Sequence, residues 1–168
     1  ITPEQAWQLK AAHEDTPQGK RDALLMCLLL DHGLRVGEVA GLSAGALDAE
    51  TGLLRFFRPK VNKTQTHRLS RDALAAARAY APFLAGQPPA TPLLRRSLRN
   101  GQLGVAGMSE RAITQRVNFV GRRAGRIAAV LHGAAHGEVQ LGDGVGAVEQ
   151  VAVPARQRIR APVAALRT

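Results

Sequence analysis

An α+β fold, mainly helical with a small antiparallel β-hairpin or sheet at one edge, is what three features of this sequence predict. Apolar residues recur at helical intervals through most of the chain. One stretch, Gly52 to Leu69, carries strand formers on both sides of a turn instead. And 168 residues, 45% of them hydrophobic, suit one packed domain, or a domain with a tail.

The elements follow in order. Thr2 is a cap, Pro3 stands at the first helical position and Gln5 lies three residues after the cap, which predicts a short helix ending near His13. Trp7 and Leu9 supply its apolar contacts. Pro17 and Gly19 break the chain. From Arg21 to Leu30 it is almost continuously apolar, so a buried helix is expected there, ending at Gly33. A second helix spans Val36 to Leu42 and turns Val36, Val39, Ala40 and Leu42 to the core. A strand starts after Gly52 and its antiparallel partner runs from Thr66 to Leu69, with the hairpin Arg58 to Gln65 between them. Helical spacing returns from Arg71 to Phe83, and the prolines and Gly86 from 86 to 92 make a loop. Ser109 then caps a helix to about Ala124, with Ile113, Val117 and Val120 on one face.

After Gly125 the texture changes. Residues 125–168 hold six Gly and many Ala, Val and Arg, but no Phe, Tyr, Trp, Met, Lys or Asn. The expected organisation is therefore residues 1–124 as the folded region and 125–168 as an atypical, irregular tail, out of frame or otherwise altered, with a short helix at most around Ile127 to Leu131. The glycines from Gly142 to Gly146 follow no strand and open no helix, so they make no nucleotide-binding loop.

Charge narrows the partner. Twenty-three Lys and Arg against thirteen Asp and Glu leave a formal +10, which favours a polyanion, with nucleic acid ahead of an anionic membrane surface. Between Arg55 and Arg99 stand ten basic residues and one acid, Asp72, as a solvated face or a track along phosphates. With only six aromatic side chains, base stacking is a poor recognition mode. The single Cys27, inside the apolar run, excludes a disulfide framework and reads as core. That run is too short to span a bilayer and no signal pattern opens the chain, so a soluble, cytoplasmic protein is expected.

The strongest local signal is Gly33, Leu34, Arg35 and Glu38, directly after the apolar helix. The three-residue spacing lets the Glu38 carboxylate hold the Arg35 guanidinium from behind while its fork faces a phosphate. A purely structural Arg–Glu pair is the alternative. Together with the basic hairpin and the helix from Ser109, this stretch resembles the first box of the tyrosine recombinase (phage integrase) family. The likeness covers residues 1 to about 124. It implies the catalytic-domain fold of that family and its metal-free, cofactor-free breaking and rejoining of double-stranded DNA. It also implies that Arg35 binds the scissile phosphate, that Glu38 orients it, and that Lys63 is the general acid, with Lys60 the runner-up. Arg58, Arg68 and Lys60 are further phosphate-binding candidates.

The second box of the family reads His-x-x-Arg-His. Here His132 and His136 keep the spacing, but Ala135 takes the Arg position. His132 is carried over as catalytic; as a metal pair the two His lack a third ligand, and no metal site is expected. No Tyr follows that box. The only one, Tyr80, precedes it and reads as a half-buried helix residue, so no nucleophile is assigned. The family's N-terminal core-binding domain is not in these residues either. The expectation is a recombinase catalytic-domain fragment that binds DNA, as an oligomer on it, without cleaving it. Two rivals remain: an active integrase whose Tyr comes in trans, and a non-catalytic basic nucleic-acid-binding module.

Overall fold

The computed structural model of the chain describes residues 1–11 and 13–136, with side chains as far as residue 125. The first helix, α1 (Pro3–Ala11), starts as its cap dictates. Thr2 Oγ1 accepts the Gln5 amide at 3.2 Å, and Gln5 Oε1 accepts the Thr2 amide at 2.9 Å. Its apolar side is less committed than its composition suggested: Trp7 is 66% exposed, and no α1 residue is fully buried.

The central helix, α2 (Pro17–Leu30), begins four residues earlier than its apolar run. Pro17 does not break the chain; it occupies the first helical turn behind the Thr16 cap, whose hydroxyl accepts the Gly19 amide at 3.0 Å. Gly19 is required by close approach, since a Cβ there would lie 1.9 Å from the Glu14 carbonyl oxygen. Five consecutive residues, Leu24 to Leu28, are buried, so the middle of α2 is enclosed by the elements around it, α1 included. Cys27 is among them, and burial pushes its thiol up to about 12. The helix closes with the Leu34 amide on the Leu28 carbonyl and Gly33 at φ +60°, and then α3 (Val36–Ala40) follows.

Strands β1 (Leu47–Asp48), β2 (Leu53–Arg58) and β3 (Lys63–Arg68) form a three-stranded antiparallel sheet in that order. The hairpin is tighter than the sequence suggested, because β3 pairs from Lys63 onward and only residues 59–62 make the turn. Asn62 adopts the left-handed conformation (φ +50°) that returns the chain. Leu54 and Phe56 face the core, while Arg55 and Phe57 face outward.

Helix α4 (Arg71–Tyr80) is capped by Ser70, whose hydroxyl accepts the Ala73 amide at 3.1 Å; it packs Ala73, Ala77 and Tyr80 inward. Tyr80 is fully buried, more deeply than a half-buried helix residue. A second hairpin, β4 (Arg95–Ser97) and β5 (Leu103–Gly107), was not expected. It is closed by Arg95, which donates to the carbonyls of Phe83, Leu103 and Gly104. One of the ten basic residues of the supposed phosphate track is thus a structural tie.

The last helix, α5 (Glu110–His136), runs on through Gly121 and Gly125 instead of stopping near Ala124. The reason is visible in the sequence: Val117, Val120, Ala124, Ile127 and Leu131 keep alternating three- and four-residue steps across the glycines. The expected short helix from Ile127 to Leu131 is part of it. Expectations for residues 137–168 lie outside the described residues.

A buried carboxylate ties helix α2 to helix α5. Asp22, with no exposed surface, accepts Arg21 Nε (3.0 Å) and Nη2 (2.7 Å) on one oxygen and Arg116 Nε (2.6 Å) and Nη2 (2.5 Å) on the other. Arg21 Nη1 continues to the Arg95 carbonyl and the Ser97 hydroxyl, both at 2.8 Å. Removing Asp22 leaves the buried Arg21 guanidinium, and the partly exposed one of Arg116, without a counter-charge. Asp22→Ala is expected to cost about 3–5 kcal/mol in a urea unfolding titration, and an unchanged midpoint would refute the role. Gly19→Ala should lose about 1–3 kcal/mol through its clash. Gly121→Ala, with nothing within 4 Å of its Cβ position, should gain about 0.4–1 kcal/mol in the same titration.

Candidate functional site

The site is assembled where the α2–α3 turn meets the turn end of the β2–β3 hairpin. Arg35 precedes α3 in extended conformation (φ −76°, ψ 154°), which turns its exposed side chain off the helix axis. Glu38 lies in the first turn of α3, and a helical side chain there leans back toward the N-terminus. Its Oε2 consequently accepts the Arg35 backbone amide at 2.9 Å.

The Glu38 side chain is 3% exposed, and its remaining capacity goes to Arg58. Arg58 Nε lies 3.0 Å from Oε1 and Nη2 lies 3.5 Å from Oε2. This corrects the expected arrangement: the carboxylate holds the Arg58 guanidinium and the Arg35 main chain, not the Arg35 guanidinium. The physical reason is that β2 delivers Arg58 to the same carboxylate, side by side, while the cap geometry places only the Arg35 amide within reach. Among the described residues the Arg35 guanidinium makes no hydrogen bond or ion pair. Arg58 also lies over the Phe56 ring, 5.1 Å from its centroid, so its plane is held from two sides.

Lys63 is the register partner of Arg58, which puts the two on one face of the hairpin, and it is exposed. Lys60 is exposed on the turn Pro59–Val61 beyond them. Arg68 is separated from this group, because it pairs with Leu53 and projects from the other face. His132 lies on α5 beyond the described side chains, as does His136. The structure thus joins the Arg58 guanidinium and the Arg35 main chain to the buried Glu38 carboxylate, with Lys63 across the hairpin from Arg58.

Groups that the sequence did not single out stand just behind. His32, on the turn that leads to Arg35, has its ring 5.9 Å from that of His67 on β3. His32 Nε2 accepts the Ser70 amide at 3.3 Å, and the Ser70 hydroxyl donates to Asp31 at 2.6 Å. Asp31 also pairs with Lys10 at 3.0 Å, which reaches Asp72 at 2.6 Å. Burial first, then the neighbouring His67, lowers the pKa of His32. Only the inward alternation of His67 with Gln65 on β3 hinted at this arrangement.

Chemically, guanidinium and ammonium groups mounted beside a fixed carboxylate can stabilise charge on the oxygens of a tetrahedral anion. Among the described residues no cluster of three or more His, Cys, Asp or Glu could hold a metal ion. Tyr80 does not reach this surface, being in the core, where burial raises its pKa. Among the described residues no helix is long and apolar enough to cross a membrane.

Comparison with known proteins agrees with this architecture. The solved structure described as "Crystal structure of XerA recombinase" superposes with a TM-score of 0.57 at 17% sequence identity, over 74% of this chain and 42% of that one. The chain therefore spans less than half of that recombinase, and at this identity the likeness concerns the fold. A search of curated protein sequences gives no match. The sequence model described as "Phage integrase family" matches residues 1–126, a span that holds both the Arg35 turn and the basic hairpin. By that match the chain belongs to the phage integrase family.

Proposed function

We propose that this chain is a DNA-binding part of an integrase catalytic domain, in which Arg35, Arg58 and Lys63 grip a phosphate of double-stranded DNA. The observation that carries the reading is the buried Glu38 carboxylate, which fixes Arg58 and the Arg35 main chain at one place beside Lys63. A generic basic surface has no reason to bury a carboxylate behind its cations. Lys63 is the general-acid candidate and Lys60, on the turn, its alternative; His132 remains a candidate of the second box. Arg68 would contribute to phosphate contacts away from the site.

The same reading divides the chain into an integrase-like region, residues 1–124, and an altered tail, residues 125–168, and places the protein with DNA inside the cell, as an oligomer on it. Strand cleavage by this family needs a phenolic nucleophile and a second Arg. The tail holds no Tyr, and Ala135 stands at the Arg position. The 168-residue chain on its own is therefore a binder of DNA and not a cleaver of it.

Binding should be steeply salt-dependent with little sequence preference, because phosphate contacts release counterions. A duplex titration should lose at least about tenfold in affinity between roughly 50 and 200 mM salt; a flat profile would remove the electrostatic basis. Arg35→Ala and Lys63→Ala should each weaken binding by roughly tenfold, more than Arg78→Ala, as expected when a charge-assisted contact is lost. Equal losses would mean that the charge is generic. A larger loss for Lys60→Ala than for Lys63→Ala would move the phosphate contact from the strand to the turn. Incubation with a nicked suicide duplex should leave no covalent protein–DNA band in denaturing electrophoresis, and a band abolished by Tyr80→Phe would revive the active-enzyme alternative.

A further inference from the structure

The two histidines left without a role stand between the elements that carry the site's cations. His32 is three residues before Arg35 on the same turn, and His67 is four residues after Lys63 on the same face of the same strand. Their rings meet at 5.9 Å with a tilt of 37°. His67 also meets Phe56 edge-on at 4.9 Å, and Phe56 is the ring over which Arg58 lies. His32 is anchored in turn by the Ser70 amide, and Ser70 is tied to Asp31 beside His32.

We propose that His32 and His67 are positioning residues that set the Arg35 turn against the Lys63 strand, and that they do so only while His32 is neutral. The proposal rests on the reading of those cations as a phosphate grip. A ring nitrogen accepts an N–H only when it carries no proton. Protonation makes Nε2 a donor facing the Ser70 donor and adds a positive charge facing His67, so one bond is lost and one repulsion gained. The charged and titratable groups around His32 are Asp31 on its own turn and His67 from β3; Lys10 from α1 and Asp72 from α4 act through Asp31. Burial and His67 outweigh Asp31 and hold the folded-state pKa of His32 below 6.5. For a group lowered in this way the contact is complete above the unfolded value and lost as pH falls through the folded one. Generic electrostatics has the opposite sign, since added protons strengthen attraction to DNA.

The test uses the full chain, its His32→Gln variant and its His32→Asn variant, whose carbonyls accept the Ser70 amide at every pH. Amide NMR spectra without DNA are recorded from about pH 8 to about pH 5 at fixed ionic strength, and duplex affinity is measured over the same range. The Ser70 and Arg35 amides should shift together in the unaltered chain, with a shared midpoint below the ordinary histidine value, and should stay still in whichever variant folds. Affinity of the unaltered chain should drop roughly fivefold as pH falls through that midpoint, the scale of one hydrogen bond, while the variant's is level or rises. Amides that do not titrate together in the unaltered chain, or that titrate identically in the variant, overturn the proposal. So does an affinity that rises toward low pH in both. A chain that binds no DNA at any pH overturns the phosphate reading instead, and the amide spectra still decide the coupling of the two elements.

Discussion

One carboxylate shared between two guanidinium groups holds the ends of this domain together. Asp22 has no exposed surface and divides its two oxygens between Arg21 and Arg116, which lie 95 positions apart along the chain (116 − 21). Burying two charges, Arg21 and Asp22, is costly, and the cost is offset only when every polar edge is matched; Arg116 reaches the same carboxylate from the surface. Here the leftover edge of Arg21 reaches the Arg95 carbonyl and the Ser97 hydroxyl, so the second hairpin enters the same network. Arg95 in turn sends its own side chain to three carbonyls. Helix α2, the β4–β5 hairpin and helix α5 are therefore in register through directional bonds, where an oily contact alone would leave them free to slide.

Glu38 repeats the device in α3. It too is buried, near a chain junction, and joined to an Arg delivered by a distant strand. The difference lies in exposure. Arg21 is 2% exposed and entirely spent inside, whereas the Arg58 side chain keeps 26% of its surface. A buried acid holding a partly exposed Arg is a mount, and the exposed Arg35 and Lys63 beside it share its footing.

What the sequence made legible follows how local each interaction is. The caps at Thr2, Ser70 and Ser109 involve partners three residues away, and each occurs as its residue type predicts. The β2–β3 hairpin showed in its strand formers, and the Arg35 neighbourhood in its glycine, arginine and glutamate spacing. The β4–β5 hairpin left no such mark, because strands of three and five residues depend on Arg95 bonding to main chain in another loop. For the same reason the spacing of Arg35 and Glu38 pointed to a local pair. Only the folded hairpin, bringing Arg58 from twenty residues away, decides which guanidinium the carboxylate takes. At Gly125 a change of composition hid a continuing helical period. Glycine weakens a helix by about 1 kcal/mol, which an apolar stripe on both sides outweighs.

The lone thiol of the chain has a practical meaning. Cys27 is 2% exposed, at the floor of a groove lined by Trp7, Lys10 and Asp72, and burial pushes its thiol up to about 12, so in the native state it offers alkylating reagents and oxidants little surface and little thiolate. Its labelling is expected to speed up as the elements over that groove move apart. The rate of that single reaction is therefore a built-in clock for breathing of the central helix, one that needs no engineered probe and runs in whatever mixture the protein is placed.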